Sequence, residues 1–472
     1  MDSLKIWHWG VLAAAAAAVV LYLTYSHLRY FGSVSFLGAI LFLEITIACL
    51  WKYKERFFIL LIVAFAWAGM SVPLENAWTA GRWAVLGVGA VGGFMVWMRD
   101  TSTHFRLLHL LAVACVGTAF VSASVSPFVQ MASYKALSLL LLFLYCSCGA
   151  RASVLGREER FISGLVWGCE LLVYGTSVCY MLLGQAIWGN PNSLGAVMSV
   201  AVFPILLWAW MNAEGPVRKA RRLLALLLCV YLTFFSMARA GIAAVVVTML
   251  VYCLCLRQYK LLVRVVAIIL CGIAITGMLA PAALSSSLRG FADDILYKGH
   301  KEKGVLGSRR TPWEKSLSTI KEHPLFGTGY GTSPTGEDPG LNFGRFASSA
   351  ETARENGSSY VNIVEWVGLL GVIPFVALLT VSVINVGRVC RTMLQTRDPR
   401  NYTIPFAMVV LSGLIHANFE DWLFAVGYYL CVYFWFVSFV LAEFVPARSP
   451  DLVAEVRVQP GGLKFGSPVP IR

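Results

Sequence analysis

Charged side chains are scarce here: Asp, Glu, Lys and Arg make up 13% of the 472 residues. A soluble chain of this length needs far more charged surface, so a water-soluble globular protein is excluded. Acids are the scarcer sign, 25 against 38 bases. The resulting net charge of +13 would point to nucleic acid in a soluble domain. Here the bases sit in short loops between apolar runs, which calls for no nucleic-acid partner. Eleven of the twelve cysteines fall in apolar runs, and Cys390 lies in a basic loop. That argues against a disulfide framework, and Cys146 with Cys148 has no second ligand pair for zinc. No glycine-rich stretch continues into Gly-Lys-Ser/Thr, so there is no nucleotide-binding loop. No repeat of the inverted-transporter kind is visible. This reading calls for neither a cofactor nor a metal.

What the chain does have is apolar length: 58% of it is hydrophobic. Windows of bilayer-crossing length fall near 9–26, 33–51, 57–74, 82–98, 107–126, 133–150, 161–184, 193–212, 222–237, 240–256, 261–283, 360–385, 402–418 and 423–443. An all-α integral membrane protein of about fourteen spans is expected, with twelve if a pair merges. The first window could pass for a secretion signal, but its orientation suits a retained span. With the N-terminus inside, alternate short loops hold nineteen Lys and Arg residues, and the opposite loops hold only Arg29, Arg82, Lys135 and Arg239. That bias predicts both termini in the cytoplasm and one large insert, 285–359, outside. The reading divides the chain into N-terminal spans over 1–184, a region 185–445 containing the insert, and a cytoplasmic tail 446–472.

The insert is the one stretch long and polar enough to build something in water. Within it Thr311, Pro312 and Glu314 fit an N-cap, a first helical position and a capping box. Trp313, Leu317 and Ile320 follow on one predicted face, and His323-Pro324 stops the helix. Arg309 and Arg310 then sit just ahead of a helix end that is already positive. Either they point into water or they mark an anion site. Residues 288–296 could lie as an amphipathic helix, whose adjacent Asp293 and Asp294 diverge and make a poor metal pair. Residues 324–331, rich in glycine, read as the start of a flexible cover.

Outward-starting spans open with suggestive chemistry. Asn190-Pro191-Asn192-Ser193 fits a cap, and Asn356-Gly357-Ser358-Ser359 fits another. Arg239 lies between two spans with almost no loop to hold it, so it either snorkels or has a task. His416, Glu420 and Asp421 add ionisable groups at the same edge, although His416 alone reads as a hydrogen-bonded core histidine.

The order of these parts resembles the bacterial O-antigen ligase and O-antigen polymerase family. The parts are Arg239-Ala240-Gly241, Arg309 with Trp313, His323-Pro324-Leu325-Phe326-Gly327-Thr328-Gly329, and Glu365-Trp366-Val367-Gly368-Leu369-Leu370-Gly371. The resemblance covers roughly residues 185 to 430 and implies a C-type helical glycosyltransferase of the bacterial inner membrane. Such an enzyme moves a glycan from undecaprenyl diphosphate to an acceptor glycan on the periplasmic side, without a metal. It implies Arg239 and Arg309 as diphosphate-binding residues, with Arg310 beside them, and allows other polysaccharide-assembly proteins as partners. Ligases of the family carry a histidine eleven residues before the first glycine of the Gly-Leu-Leu-Gly element, where this chain has Gly357. Glu355 and Glu420 are the candidate replacement bases. The departure favours a polymerase of exopolysaccharide type. A ligase or protein-glycan transferase with the same donor is the alternative, and a lipid-linked oligosaccharide flippase is another. A flippase should carry polar residues through the depth of several spans, whereas these spans are mainly apolar.

Overall fold

The computed structural model describes residues 34–70, 75–99, 105–184, 186–188, 190–279, 307–333 and 357–445. Among them there are helices and no strands. A chain that must satisfy its backbone inside lipid has the helix as its local solution. The helices are α1 (Val34–Trp51), α2 (Tyr53–Trp67), α3 (Glu75–Arg99), α4 (Leu107–Ser124), α5 (Val129–Val154), α6 (Glu158–Leu182) and α7 (Pro191–Met211). They continue as α8 (Pro216–Phe235), α9 (Arg239–Cys255), α10 (Tyr259–Leu279), α11 (Gly307–Glu322), α12 (Ser359–Thr396), α13 (Thr403–His416) and α14 (Tyr429–Phe444). Within α5, α6 and α7 the turns Tyr145–Ala150, Val178–Leu182 and Val197–Val202 widen to π-helix.

Six helices among the described residues are long and apolar enough to cross a membrane, in α3 to α7 and α12. Four shorter apolar helices accompany them, in α1, α9, α13 and α14. The protein is thus a multi-pass membrane protein. The expected fourteen spans go beyond this number, and the first window, 9–26, lies outside the described residues. So do the amphipathic stretch 288–296 with Asp293 and Asp294, and the tail 446–472.

The apolar pattern also decides which helices lie inside. Every residue of α14 from Tyr429 to Ala442 is buried, the signature of a helix that is hydrophobic all round and sits at the centre. Trp435, Phe434 and Phe436 are its largest fully buried side chains. Against it pack α2, α5, α12 and α13, and α13 in turn packs on α7 and α9.

The two ends of the bundle differ in chemistry. At one end Glu443, on α14, lies 3.9 Å from Arg151 and 4.0 Å from Arg106. Arg157 pairs there with Glu55. At the other end Arg82 donates to the Gly427 carbonyl at 2.7 Å and Lys135 to the Gly331 carbonyl at 2.5 Å. Each end therefore gathers residues that the charge bias assigned to one side.

Candidate active site

The site forms where four helix ends and the insert converge. The sequence positions each part. Asn190 caps α7 by accepting the Asn192 N–H at 2.9 Å, with Pro191 as first helical residue, as its residue types predict. Before α9, Met237 takes a positive φ of 51° and Ser236 accepts the Ala238 N–H, so the chain reverses in two residues. Arg239 is consequently the first residue of α9, at the end where backbone N–H groups are free. The α12 start is tied down differently. Ser359 donates its hydroxyl to the Glu420 carbonyl at 2.6 Å and accepts the Leu423 N–H at 3.0 Å.

Helix α11 corrects two expectations. It is already helical at Gly307, ahead of Pro312, so Arg309 and Arg310 lie within the helix and Thr311 is not its N-cap. The reason is that both arginines find carboxylates from helical positions. Arg309 reaches Glu420 with Nη2 to Oε1 at 2.5 Å, and Arg310 takes Glu314, one turn on, at 2.8 Å. Of the predicted face Trp313 and Ile320 are half-buried, but Leu317 is 54% exposed and Ser316 and Thr319 are buried instead. The helix does end at His323-Pro324, as expected.

Beyond α11 the glycine-rich stretch is no loose cover over its described part. Residues 324–329 pair with a break in α12 at Gly368, where φ is 70° and ψ 179°. The Leu369 N–H donates to the Pro324 carbonyl at 2.8 Å, Thr328 N–H to Glu365 at 3.0 Å and Gly329 N–H to Trp366 at 3.1 Å. A Cβ at Gly368 would lie 2.3 Å from the Leu325 oxygen, and one at Gly327 2.4 Å from the Trp366 oxygen. Only glycine allows the two backbones that approach. Tyr330 then plunges into the bundle, 1% exposed, and donates to the Phe424 carbonyl at 2.8 Å. The two motifs, about forty residues apart in sequence, form one hydrogen-bonded unit.

Arg239 and Arg309 belong to the same end of the bundle, where the charge of Arg309 is felt at Arg239. Glu420 holds Arg309. Arg310, with 77% of its side chain exposed, faces water instead, the plainer of the two readings of that residue. Glu355 lies outside the described residues. His416 is buried, and its Nδ1 accepts the Trp422 indole N–H at 2.9 Å. An imidazole whose Nδ1 accepts is neutral and carries its proton on Nε2, which meets no hydrogen-bond partner among the described residues. His416 is thus the hydrogen-bonded core histidine that its surroundings predict, but it also lies in the field of Arg309.

Gly357 explains the missing histidine. Its φ is 66°, and a Cβ there would stand 2.7 Å from Arg309 Nη1 and 2.9 Å from Arg309 Cδ. The arginine side chain fills the space. The sequence shows the absent histidine but not what replaces it, because the replacement comes from a helix almost fifty residues upstream.

Arg239 at the α9 N-terminus and Arg309 on α11 place two guanidiniums at one end of the bundle. Residues 224–376 match the O-antigen ligase family. The match bears out the resemblance and supports a membrane glycosyltransferase of O-antigen ligase or polymerase type. It runs from α8 past the Gly368 break, and so includes Arg239, Arg309 and the paired motifs. Glu420 lies beyond it. No curated protein matches the chain.

Proposed function

We propose that this protein polymerises repeat units of a surface polysaccharide, transferring a glycan from undecaprenyl diphosphate to an acceptor glycan. The reaction runs at the periplasmic face of the inner membrane, with both termini cytoplasmic. The observation that carries the reading is the placing of Arg239, first residue of α9, and of Arg309, paired with Glu420, at one end of the bundle within the residues that match the O-antigen ligase family. Guanidinium forks there suit the diphosphate of a lipid donor, which would compete with Glu420 for Arg309.

The chemistry follows from the same groups. The acceptor hydroxyl attacks the anomeric carbon, the bond from that carbon to the diphosphate oxygen breaks, and the electron pair leaves with the diphosphate. Guanidinium forks and the α9 N–H groups stabilise the charge growing there. In the resting site Glu420 is engaged by Arg309. A donor diphosphate that draws Arg309 toward itself releases the Glu420 carboxylate, which then takes the proton from the acceptor hydroxyl. Binding of the donor thereby switches on the base. Arg309 packed against Gly357, in place of a ligase histidine, favours polymerisation over ligation.

The test is to incubate the purified protein with undecaprenyl diphosphate oligosaccharide, with and without acceptors, and to size the products. A ladder supports the polymerase. A single shift on a lipid or protein acceptor would establish the ligase instead, and unchanged glycan moved between leaflets would establish a flippase.

A further inference from the structure

His416 closes α13, and a residue close behind it in the chain decides what its ring can do. Trp422 turns back and donates its indole N–H to His416 Nδ1 at 2.9 Å. An indole nitrogen only donates, so Nδ1 must accept and the ring proton stays on Nε2. The indole is itself held in place: it is buried and stands edge-on to Phe434 of α14, ring centroids 5.7 Å apart. His416 is therefore a neutral imidazole locked in one tautomer, with only 1% of its surface exposed. Its Nε2–H has no partner among the described residues. A buried donor left in that state is costly, and an acceptor that reaches it displaces no existing bond.

The neighbours place that N–H at the reaction end. Ser412, one turn before His416 on the same face of α13, donates to the Ser199 carbonyl at 2.9 Å. A Cβ at Gly241, in the first turn of α9, would stand 3.2 Å from Ser199 Oγ. Helix α13 thus runs beside the start of α9, and His416 lies a turn further toward the end that carries Arg239. Next to it Ala417 accepts the Ser359 N–H at 2.9 Å, and Glu420 accepts from Arg309. The charge of Arg309 is felt at His416.

This placement excludes one role and suits another. His416 does not replace the missing ligase histidine as base, because neither ring nitrogen has a lone pair to spare. Imidazole Nε2–H and guanidinium forks all donate, and an anionic oxygen suits all of them.

We infer that His416 is a fixed neutral donor of the reaction site, whose Nε2–H takes an anionic oxygen of the lipid diphosphate as Arg309 is drawn from Glu420. A donor set in place beforehand stabilises charge growing on the leaving group without reorganising. The assignment rests on the donor proposed above.

The full-length protein carrying isotopically labelled histidine nitrogen reads the ring directly by magnetic resonance. The chain has seven histidines, and His416→Gln identifies the resonance by its loss. Undecaprenyl diphosphate should move the Nε2 signal of His416. Undecaprenol, the same chain without the diphosphate, should not.

Two variants separate the two bonds of the ring. His416→Gln keeps an N–H near the Nε2 position and loses the acceptor for Trp422, whereas His416→Asn keeps that acceptor and falls short of Nε2. Turnover should drop about ten- to a hundredfold in His416→Asn and stay within about threefold in His416→Gln. The thermal midpoint should move the other way, lower in His416→Gln and held in His416→Asn. A histidine that only holds Trp422 gives the reverse, an active asparagine variant and an inactive glutamine one. That result, or bound undecaprenyl diphosphate that leaves the Nε2 signal where it was, overturns the assignment and leaves the proposed function standing. Undecaprenyl diphosphate that fails to bind at all, measured with radiolabelled lipid, sinks the function and the assignment together.

Discussion

Arg309 occupies the space that any side chain at position 357 would need, its Nη1 only 2.7 Å from where a Cβ of Gly357 would stand. Restoring the ligase histidine here therefore does not restore a ligase. Gly357→His forces an L-residue to a φ of 66° and displaces Arg309 from Glu420. Turnover should fall at least about tenfold, since strain of this kind costs about 1–3 kcal/mol, and no single-shift product should appear. A gain of ligase product would mean that Arg309 is not needed where it lies.

Arg239→Ala should abolish glycan assembly while the protein still inserts at wild-type level. Arg239→Lys keeps the charge but loses the planar fork, so it should rescue poorly. Both are read by product sizing beside a membrane-fraction blot. Wild-type product from the alanine variant removes Arg239 from the site.

Glu420→Gln removes the proposed proton acceptor yet leaves a group that still accepts from Arg309. The pair is partly exposed, 17% at Arg309 and 23% at Glu420, so stability should shift by no more than about 1 kcal/mol. Turnover should fall by about a hundredfold or more, the usual span of general-base catalysis. Glu355→Gln is the companion variant. If Glu420→Gln is fully active and Glu355→Gln is not, the base is Glu355 and the switch through Arg309 fails.

Gly368→Ala places a methyl 2.3 Å from the Leu325 carbonyl oxygen, a backbone atom that has nowhere to go. The paired loop should detach, with a loss above about 1 kcal/mol and a lower thermal midpoint in detergent. Gly387→Ala, on the same helix with nothing within 4 Å, should leave the midpoint unchanged or raise it slightly.

Tyr330→Phe deletes the donor to the buried Phe424 carbonyl and leaves that oxygen unsatisfied. A cost of about 1–3 kcal/mol is expected, measurable as a shift in the same melt.

Local chemistry was legible in the sequence wherever a few neighbouring residues decide the outcome. Asn190-Pro191 starts α7, His323-Pro324 stops α11, and Arg239 stands at the head of α9 because each depends only on nearby backbone. What the sequence hid depends on distant partners. Glu420, over a hundred residues away, lets α11 begin a full turn early. Leu317 is exposed because the convergence buries the polar Ser316 and Thr319 instead, which no apolar period signals. The glycines of 327–331 read as freedom, yet Gly327 buys contact with α12.

That contact bears on how the protein is made. Around Gly368 the α12 backbone turns away from its own ladder, and Glu365 and Trp366 offer carbonyls to residues 328 and 329. Lipid cannot satisfy such groups. Because the loop precedes α12 in the chain, its amides are already synthesised when the helix leaves the ribosome. The stable burial of α12 is therefore coupled to the docking of residues 324–329 beside it, and a variant that detaches them should leave the α12 carbonyls facing lipid and the helix poorly held in the bilayer.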